Sequence, residues 1–460
     1  MTVVHDVAPT QLDARAAAMA LPTRAAAILV VVLIPLLVMP WGSDAYNRVK
    51  ALTVIVLAAI MAVGWVVAAV VTRRPAWRVT RPELALWFTM LAVLVSSQTS
   101  VDLRLTLFGA PGRYEGLLAI LSYALLYFVG VHFFGSESGF WTLTKTAAWT
   151  ALIAIGYGIA QVFLPPLFAG EAEIRQWYET FGVPRPPSTL GSPIVFAGYL
   201  ALMIPLLAAL ALRGPSRLRP LWLLGSAVGY VAVLMTMTRA AWLAVLVGTA
   251  VFAAAIGRDV WRRHGLPLAA VMVAVAITGA VLTGIVTTPA QVAARASPSV
   301  SLQSGSLAQR VYIWDRTLRL IQARPWLGWG LETLREVFPY DRASTVRYFG
   351  LRPVIVDKAH NDVLQIAVSI GVPGAIAYGL FWMLVVASAR HLWRRNRGTA
   401  RILAVGWLAA IVSYAIQVQF SFSVVALAPL VWLFAGAACG WEATTTGNEG
   451  TGKHEHGTAN

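Results

Sequence analysis

The 460-residue sequence holds a single cysteine, Cys439. That excludes an internal disulfide and any zinc or iron–sulfur site built on thiolates. Charge is also scarce. Only 12% of residues are Asp, Glu, Lys or Arg, against ~25% in soluble domains, which excludes an ordinary water-soluble enzyme. Acidic residues are the scarcer kind, 20 against 36 basic, for a net charge of +16. Long polar tracts and a Gly-X-Y period are missing, so the chain is neither disordered nor fibrous. No internal repeat stands out, which counts against an inverted-repeat transporter. What the chain has is apolar residues, 58% of the total at a mean hydropathy of +0.69. This is the composition of an all-α polytopic membrane protein.

Crossing a bilayer takes about 20 apolar residues. Such stretches lie near 25–40, 51–71, 84–97, 116–134, 141–163, 191–212, 220–236, 240–256, 266–288, 373–389, 402–420 and 425–441. About twelve transmembrane helices are expected, with both termini on one side. Arginines cluster in four of the connecting loops: Arg73, Arg74, Arg78 and Arg81; Arg213, Arg217 and Arg219; Arg258, Arg262 and Arg263; and Arg390, Arg394, Arg395, Arg397 and Arg401. Alternating segments put all four on one face, which the positive-inside rule makes cytoplasmic. The same rule decides how 360–389 is read. Two crossings broken at Gly371 and Pro373 would put the last cluster outside. Residues 360–370 are therefore expected as a short helix that dips in from the outer face without crossing.

The expected plan is a cytoplasmic segment over 1–24 and transmembrane helices 1–9 over 25–288. An extracytoplasmic (periplasmic) loop with the dipping helix covers 289–372, and transmembrane helices 10–12 cover 373–441. A disordered cytoplasmic tail covers 442–460. The first apolar run is not expected to be a cleaved signal peptide, because Trp41-Gly42-Ser43-Asp44 lacks a small-residue cleavage site. His454-Glu455-His456 reads as solvated tail rather than a metal site.

Residues 289–359 hold ten basic and five acidic residues, a net +5 on the outer face. A loop this long escapes the positive-inside rule, so an anionic partner is expected, with lipid headgroups as its plainest form. Nucleic acid is excluded by the location. From Gln309 to Arg324 the apolar residues Val311, Ile313, Trp314, Leu318 and Ile321 recur at helical spacing, with Asp315, Arg316, Arg319 and Gln322 on the other face. That pattern predicts an amphipathic helix, ended by Pro325, Gly328 and Gly330.

Several outer-face residues are costly to keep near hydrocarbon. Arg239, in the tight turn Thr236-Met237-Thr238-Arg239-Ala240, either snorkels to the headgroups or binds phosphate through its planar fork. Arg310 opens the amphipathic helix, where a solvated helix end is the bland alternative. Arg185 lies in Pro184-Arg185-Pro186-Pro187-Ser188-Thr189, and Arg113 in Gly112-Arg113-Tyr114-Glu115-Gly116. The nearby Glu115 suggests a structural ion pair for Arg113. His360 opens the dipping helix as His360-Asn361-Asp362. A helix amino terminus favours neutral imidazole, the form a general base needs, although a structural histidine is the ordinary role of a lone His.

Arg310-x-x-x-Trp314, Pro325-Trp326-Leu327-Gly328-Trp329-Gly330 and His360-Asn361-Asp362-Val363-Leu364-Gln365 resemble the conserved region of the O-antigen ligase and polymerase superfamily. Thr238-Arg239-Ala240-Ala241-Trp242 and Ser188-Thr189-Leu190-Gly191-Ser192-Pro193 are similar to further motifs of it. The resemblance runs from about 110 to 440 and is strongest over 310–375. It implies a metal-independent, inverting glycosyltransferase of the C type that needs no cofactor. The donor would be a glycan on undecaprenyl diphosphate, and the acceptor a glycan or lipid-linked sugar such as lipid A-core oligosaccharide. The reaction would take place at the periplasmic face of the inner membrane.

The family's histidine falls on His360 as the catalytic base, and its diphosphate-binding arginines fall on Arg239 and Arg310, with a third on Arg185. Fixed arginines fit a face that offers no Asp-x-Asp and only Glu171-x-Glu173. The motifs do not separate ligase from polymerase, or either from the protein O-oligosaccharyltransferases. A lipid-linked glycan transporter ranks behind these, because the spans hold no charged residue at mid-depth and few polar ones beyond Gln161, Gln417 and Gln419. A purely structural role leaves the grouping of Arg239, Arg310 and His360 unexplained.

Overall fold

The computed structural model describes residues 11–39, 41, 44–72, 77–164, 185–257, 262, 305–350 and 354–452. Among the described residues there are helices and no strands. The first half comprises α1 (Gln11–Leu36), α2 (Asn47–Thr72), α3 (Glu83–Gln98), the short α4 (Leu103–Phe108), α5 (Leu117–Phe133) and α6 (Glu137–Phe163). Next come α7 (Pro193–Arg213), α8 (Arg219–Met235) and α9 (Arg239–Ala255). After these lie α10 (Gly305–Ala323), the short α11 (Leu334–Val337) and α12 (Arg342–Phe349), and finally α13 (Asp362–Arg395), α14 (Gly398–Gln419) and α15 (Ala428–Gly452).

Six of these are long and apolar enough to cross a membrane: α2, α6, α7, α8 with the turn before it, α13 and α14. Four more apolar helices, Ala20–Leu36, Glu83–Gln98, Leu117–Phe133 and Arg239–Ala255, are shorter. At 1.5 Å per residue a helix of 16 or 17 residues reaches only about 25 Å, less than the ~30 Å hydrocarbon core. Among the described residues, length and composition thus give six helices able to cross where about twelve spans were expected, and the expected span at 266–288 lies outside those residues.

The ends of the helical region differ from expectation. α1 begins at Gln11, inside the segment expected to precede the first span, because an Ala-rich run favours helix. α15 continues to Gly452, into the stretch expected as a disordered tail. There the hydroxyls of Thr444, Thr445 and Thr446 donate back to the carbonyls of Trp441, Glu442 and Ala443, which fits them to a helix.

Burial sorts the helices. In the most apolar window of α7, 83% of residues are buried, and in that of α14, 72%, whereas α2 reaches only 22% and displays Val56, Ile60, Val63, Val66 and Val70. So α7 and α14 lie at the centre, and α2 offers a lipid-facing surface. α15 lies against α5 at backbone distance. A Cβ on Gly130 would collide with the Leu433 carbonyl, and one on Gly436 with the Tyr127 carbonyl. Small residues allow that approach, and dispersion rewards it. Phe140, Trp407 and Phe434 complete the core beside this contact.

Arginines gather at one end of the bundle. Arg81 Nε lies 3.0 Å from Glu442, Arg213 Nη2 lies 2.6 Å from Glu137, and Arg401 Nη2 donates to the Ala255 carbonyl at 3.3 Å. The opposite end carries His360.

The buried face of α10 keeps Ile313 and Ile321 of the expected stripe but is rotated away from Val311 and Leu318. Ala308, Tyr312, Ile313, Thr317, Leu320 and Ile321 point inward, while Val311 and Leu318 are 40% and 48% exposed. Tyr312 stacks on Tyr348 of α12 and turns its edge to Phe338, so contacts within the loop decide which face is covered.

Candidate functional site

The site is built around a break in α13. Residues 362–370 and 372–395 are helical, but Gly371 between them has φ 78° and ψ 170°. Only glycine adopts such a conformation freely. The break removes helical hydrogen bonds, and the Pro325–Gly330 loop replaces them. Trp329 N–H donates to Val368 O (2.9 Å), Gly330 N–H to Ser369 O (3.0 Å), and Val372 N–H to Pro325 O (2.7 Å). Gly328 and Gly371 sit so close to the opposite backbone that a Cβ on either would strike it. The Pro-Trp-Leu-Gly-Trp-Gly motif is therefore a backbone clamp on the broken helix.

The first segment of that helix carries His360 at its mouth. Asn361 is the cap: its Oδ1 accepts from Leu364 N–H (3.0 Å) and its Nδ2 donates to Gln419 O (3.0 Å). Ala359 is held on both sides, its N–H donating to Gln365 Oε1 (2.8 Å) and its carbonyl accepting from the Trp314 indole (3.0 Å). Arg310 and Trp314 lie one helical turn apart and share a face of α10. Trp314 thus fixes the backbone beside His360, while Arg310 enters the same cavity.

That cavity, of about 170 Å³, is lined by His360, Arg310, Arg113, Glu115, Asn47, Ser192 and Gln417, with Phe422 and Val425 among its apolar walls. The His360 ring meets Phe422 edge-on at 5.3 Å. Burial, and then the positive charge of Arg310, bring its pKa down to about 4, against the opposing effect of Asp357. The imidazole is neutral at pH 7, with burial and the neighbouring cations as the cause. Arg310 is itself held below its usual pKa by burial and by the like charge of Arg239. The two guanidiniums therefore feel each other.

Arg239 opens α9 and is exposed. Arg185 is only 7% exposed; its Nε donates to Thr236 O (2.7 Å) and its Nη2 to Thr238 Oγ1 (3.4 Å). It therefore touches the turn that delivers Arg239. Trp242 of the same motif donates its indole N–H to Val233 O (3.1 Å), tying α9 to the end of α8. In Ser188–Pro193, Ser188 bonds Gln161 and Ala154, Thr189 bonds Pro35, and the buried Lys50 donates to Thr189 O (2.6 Å). Gly191, at φ 80°, lies against the Tyr46 ring, and Ser192 follows at the cavity wall.

The sequence reading missed the charges beneath this cavity. Lys358 is 3% exposed and bridges Glu332 and Glu115, the latter at 3.4 Å. Burial and neighbouring Glu332 push the Glu115 carboxyl up to about 7 despite Lys358. The expected ion pair of Arg113 exists, but with Asp357 (2.7 Å) rather than Glu115. The guanidinium of Arg113 also lies 4.7 Å from the Phe422 ring centre. One signal was available in the sequence, since Asp357-Lys358 stands directly before Ala359-His360.

Among the described residues, five non-glycine residues have positive φ: Tyr114, Ser188, Met237, Glu332 and His360. Each belongs to a segment just described. Left-handed backbone costs of order 1–3 kcal/mol per residue and persists where surrounding contacts over-determine it, as at functional sites. The fold and the site define a multi-pass helical membrane protein with a cation-lined cavity around a neutral histidine.

Residues 225–379 match the family model described as O-antigen ligase, which supports a relation to the O-antigen ligase superfamily. It contains Arg239, Arg310 and His360 and leaves out Arg185 and Arg113. Activity of the ligase and polymerase type, a glycosyltransferase-like reaction at a membrane, is what the match supports. No curated protein sequence matches the chain.

Proposed function

We propose that the protein is an O-antigen ligase-like glycosyltransferase of the inner membrane. It moves a glycan from undecaprenyl diphosphate to a sugar hydroxyl of lipid A-core oligosaccharide at the periplasmic face, within a bundle of about twelve spans. His360 accepts the proton of the acceptor hydroxyl as its oxygen bonds to the anomeric carbon. The bond from that carbon to the phosphate oxygen breaks, undecaprenyl diphosphate leaves, and the configuration inverts in this single displacement. Arg310 and Arg239 neutralise the diphosphate as charge builds on it. Arg185, whose donors are engaged at the Thr236–Thr238 turn, positions Arg239 rather than holding phosphate itself.

The observation that carries this reading is the pairing of a neutral His360 with Arg310 in one cavity. Arg310 serves it twice, attracting the anion and keeping the imidazole unprotonated. The test is purified protein supplied with lipid-linked glycan and lipid A-core acceptor. Product formed by the wild type and lost in His360→Ala is expected. Full turnover by His360→Ala overturns the role of the base. Glycan chains that lengthen on the lipid carrier, with no transfer to lipid A-core, overturn the ligase reading in favour of a polymerase.

A further inference from the structure

A second cationic hollow lies at the arginine-rich end of the bundle, far along the chain from the residues above. It is lined by Arg24 of α1, Trp65, Ala69 and Thr72 of α2, the Trp77-Arg78 segment, and His132 of α5. Its volume is about 520 Å³. We propose that this hollow binds the phosphate headgroup of an anionic phospholipid, with the acyl chains lying along α2.

Two guanidiniums from separate elements face the hollow, and neither forms an ion pair with a carboxylate among the described residues. Among the described residues the Arg78 guanidinium donates through Nη1 alone, to Val131 O (3.0 Å) and Gly135 O (3.2 Å), at the end of α5. Arg24 is exposed and makes a cation–π contact with Phe134 at 5.5 Å. The Glu83 carboxylate, behind Trp77, is occupied by the Trp77 indole (2.7 Å) and by Thr80 N–H (3.1 Å). Nor does His132 have a nitrogen to offer an anion. Its Nε2 accepts from Arg78 N–H (3.0 Å), which leaves the proton on Nδ1, where it donates to Phe128 O (2.9 Å).

The walls indicate a lipid rather than a free phosphate. Trp65 and Trp77 stack at 6.0 Å with His132 against both rings, which forms an aromatic floor of the kind found at membrane interfaces. From there α2 continues as an exposed apolar stripe, with Val63 64%, Val66 63% and Val70 70% accessible. A headgroup held by Arg24 and Arg78 would leave its chains beside that stripe. This inference rests on none of the residues proposed for glycosyl transfer, so it stands or falls independently of that reading.

The test is native mass spectrometry of the full chain released from nanodiscs of phosphatidylglycerol and phosphatidylcholine in equal parts. Phosphatidylglycerol is expected to be retained preferentially, and Arg24→Ala to lower its retention about fivefold, the effect of one basic residue near an anionic headgroup. Arg24→Lys keeps the charge and should retain most of it. Among the described residues Arg24 makes a cation–π contact and no hydrogen bond, so the effect of Arg24→Ala does not depend on the behaviour of an Arg78 variant. Equal retention of both lipids, or no difference between Arg24→Ala and wild type, overturns the proposal. Glycerol phosphate protecting the detergent-purified protein against heat as well as phosphatidylglycerol does would also overturn it, by showing a soluble anion site.

Discussion

The perturbed histidine gives the proposal its sharpest test. An ordinary imidazole near pKa 6.5 would be only about a quarter neutral at pH 6 and about 3% neutral at pH 5. With His360 at about 4, the neutral fraction is about 99% and 90% at those same pH values. Because the base works unprotonated, activity is present above the folded-state pKa and is lost as pH falls through it. Initial rates at saturating donor and acceptor should therefore stay level from pH 8 to about 5 and fall by half near 4.

The causes of the shift predict how it moves. Removing Arg310 takes away the leading cationic contribution, so the acid limb of Arg310→Ala should rise towards 6.5 while its KM for donor increases. Asp357→Asn removes an anion that favours the protonated ring and should move the limb down. Single-turnover rates at fixed temperature, with stability checked across the range, separate this titration from acid unfolding. A wild-type limb near 6.5, or a limb that stays put in Arg310→Ala, would refute the electrostatic account of the base.

Arg185→Lys, which loses the planar fork on Thr236 and Thr238, should raise the donor KM several-fold, read from initial rates against donor concentration, with a smaller change in kcat. Lys358→Met leaves Glu115 and Glu332 buried without their cation and should cost ~3–5 kcal/mol, measured by unfolding in detergent. Gly371→Ala places a Cβ on the Trp326 carbonyl at φ 78° and should lower the melting temperature and activity together. Transfer should persist in excess chelator, since arginines are proposed to neutralise the diphosphate; activity lost on chelation and restored by magnesium would exclude that.

Much of the helical plan could be read from the sequence, because apolar runs reach nearly their full length before Gly, Pro or Arg ends them. Residues 220–236 and 240–256 were expected, and Arg219–Met235 and Arg239–Ala255 are found. The break at Gly371 was legible for the same reason. Misreadings arose where a long-range contact decides the outcome. Glu115 lies two residues from Arg113 in the chain, yet Asp357 takes the arginine and Lys358 takes the glutamate. Val311 and Leu318 fit a buried stripe by spacing, but Tyr348 and Phe338 cover the neighbouring face instead. Composition identified Arg185 as an unusual cation but did not show that its donors bond to the turn before Arg239.

The glycine contact between α5 and α15 bears on how the chain is made. Residues 117–133 enter the membrane early in synthesis, while the surface that fits Gly130 is carried by residues 428–440. Until residues 428–440 emerge from the ribosome, Gly130 of α5 lacks the backbone it packs against, and the aromatic cluster of Phe140, Trp407 and Phe434 lacks one of its three rings. The contact between α5 and α15 therefore forms only once residues 428–440 have been made. A nascent chain stopped before residue 428 would be a set of inserted helices without a sealed interior, open to membrane quality-control proteases for as long as translation stalls.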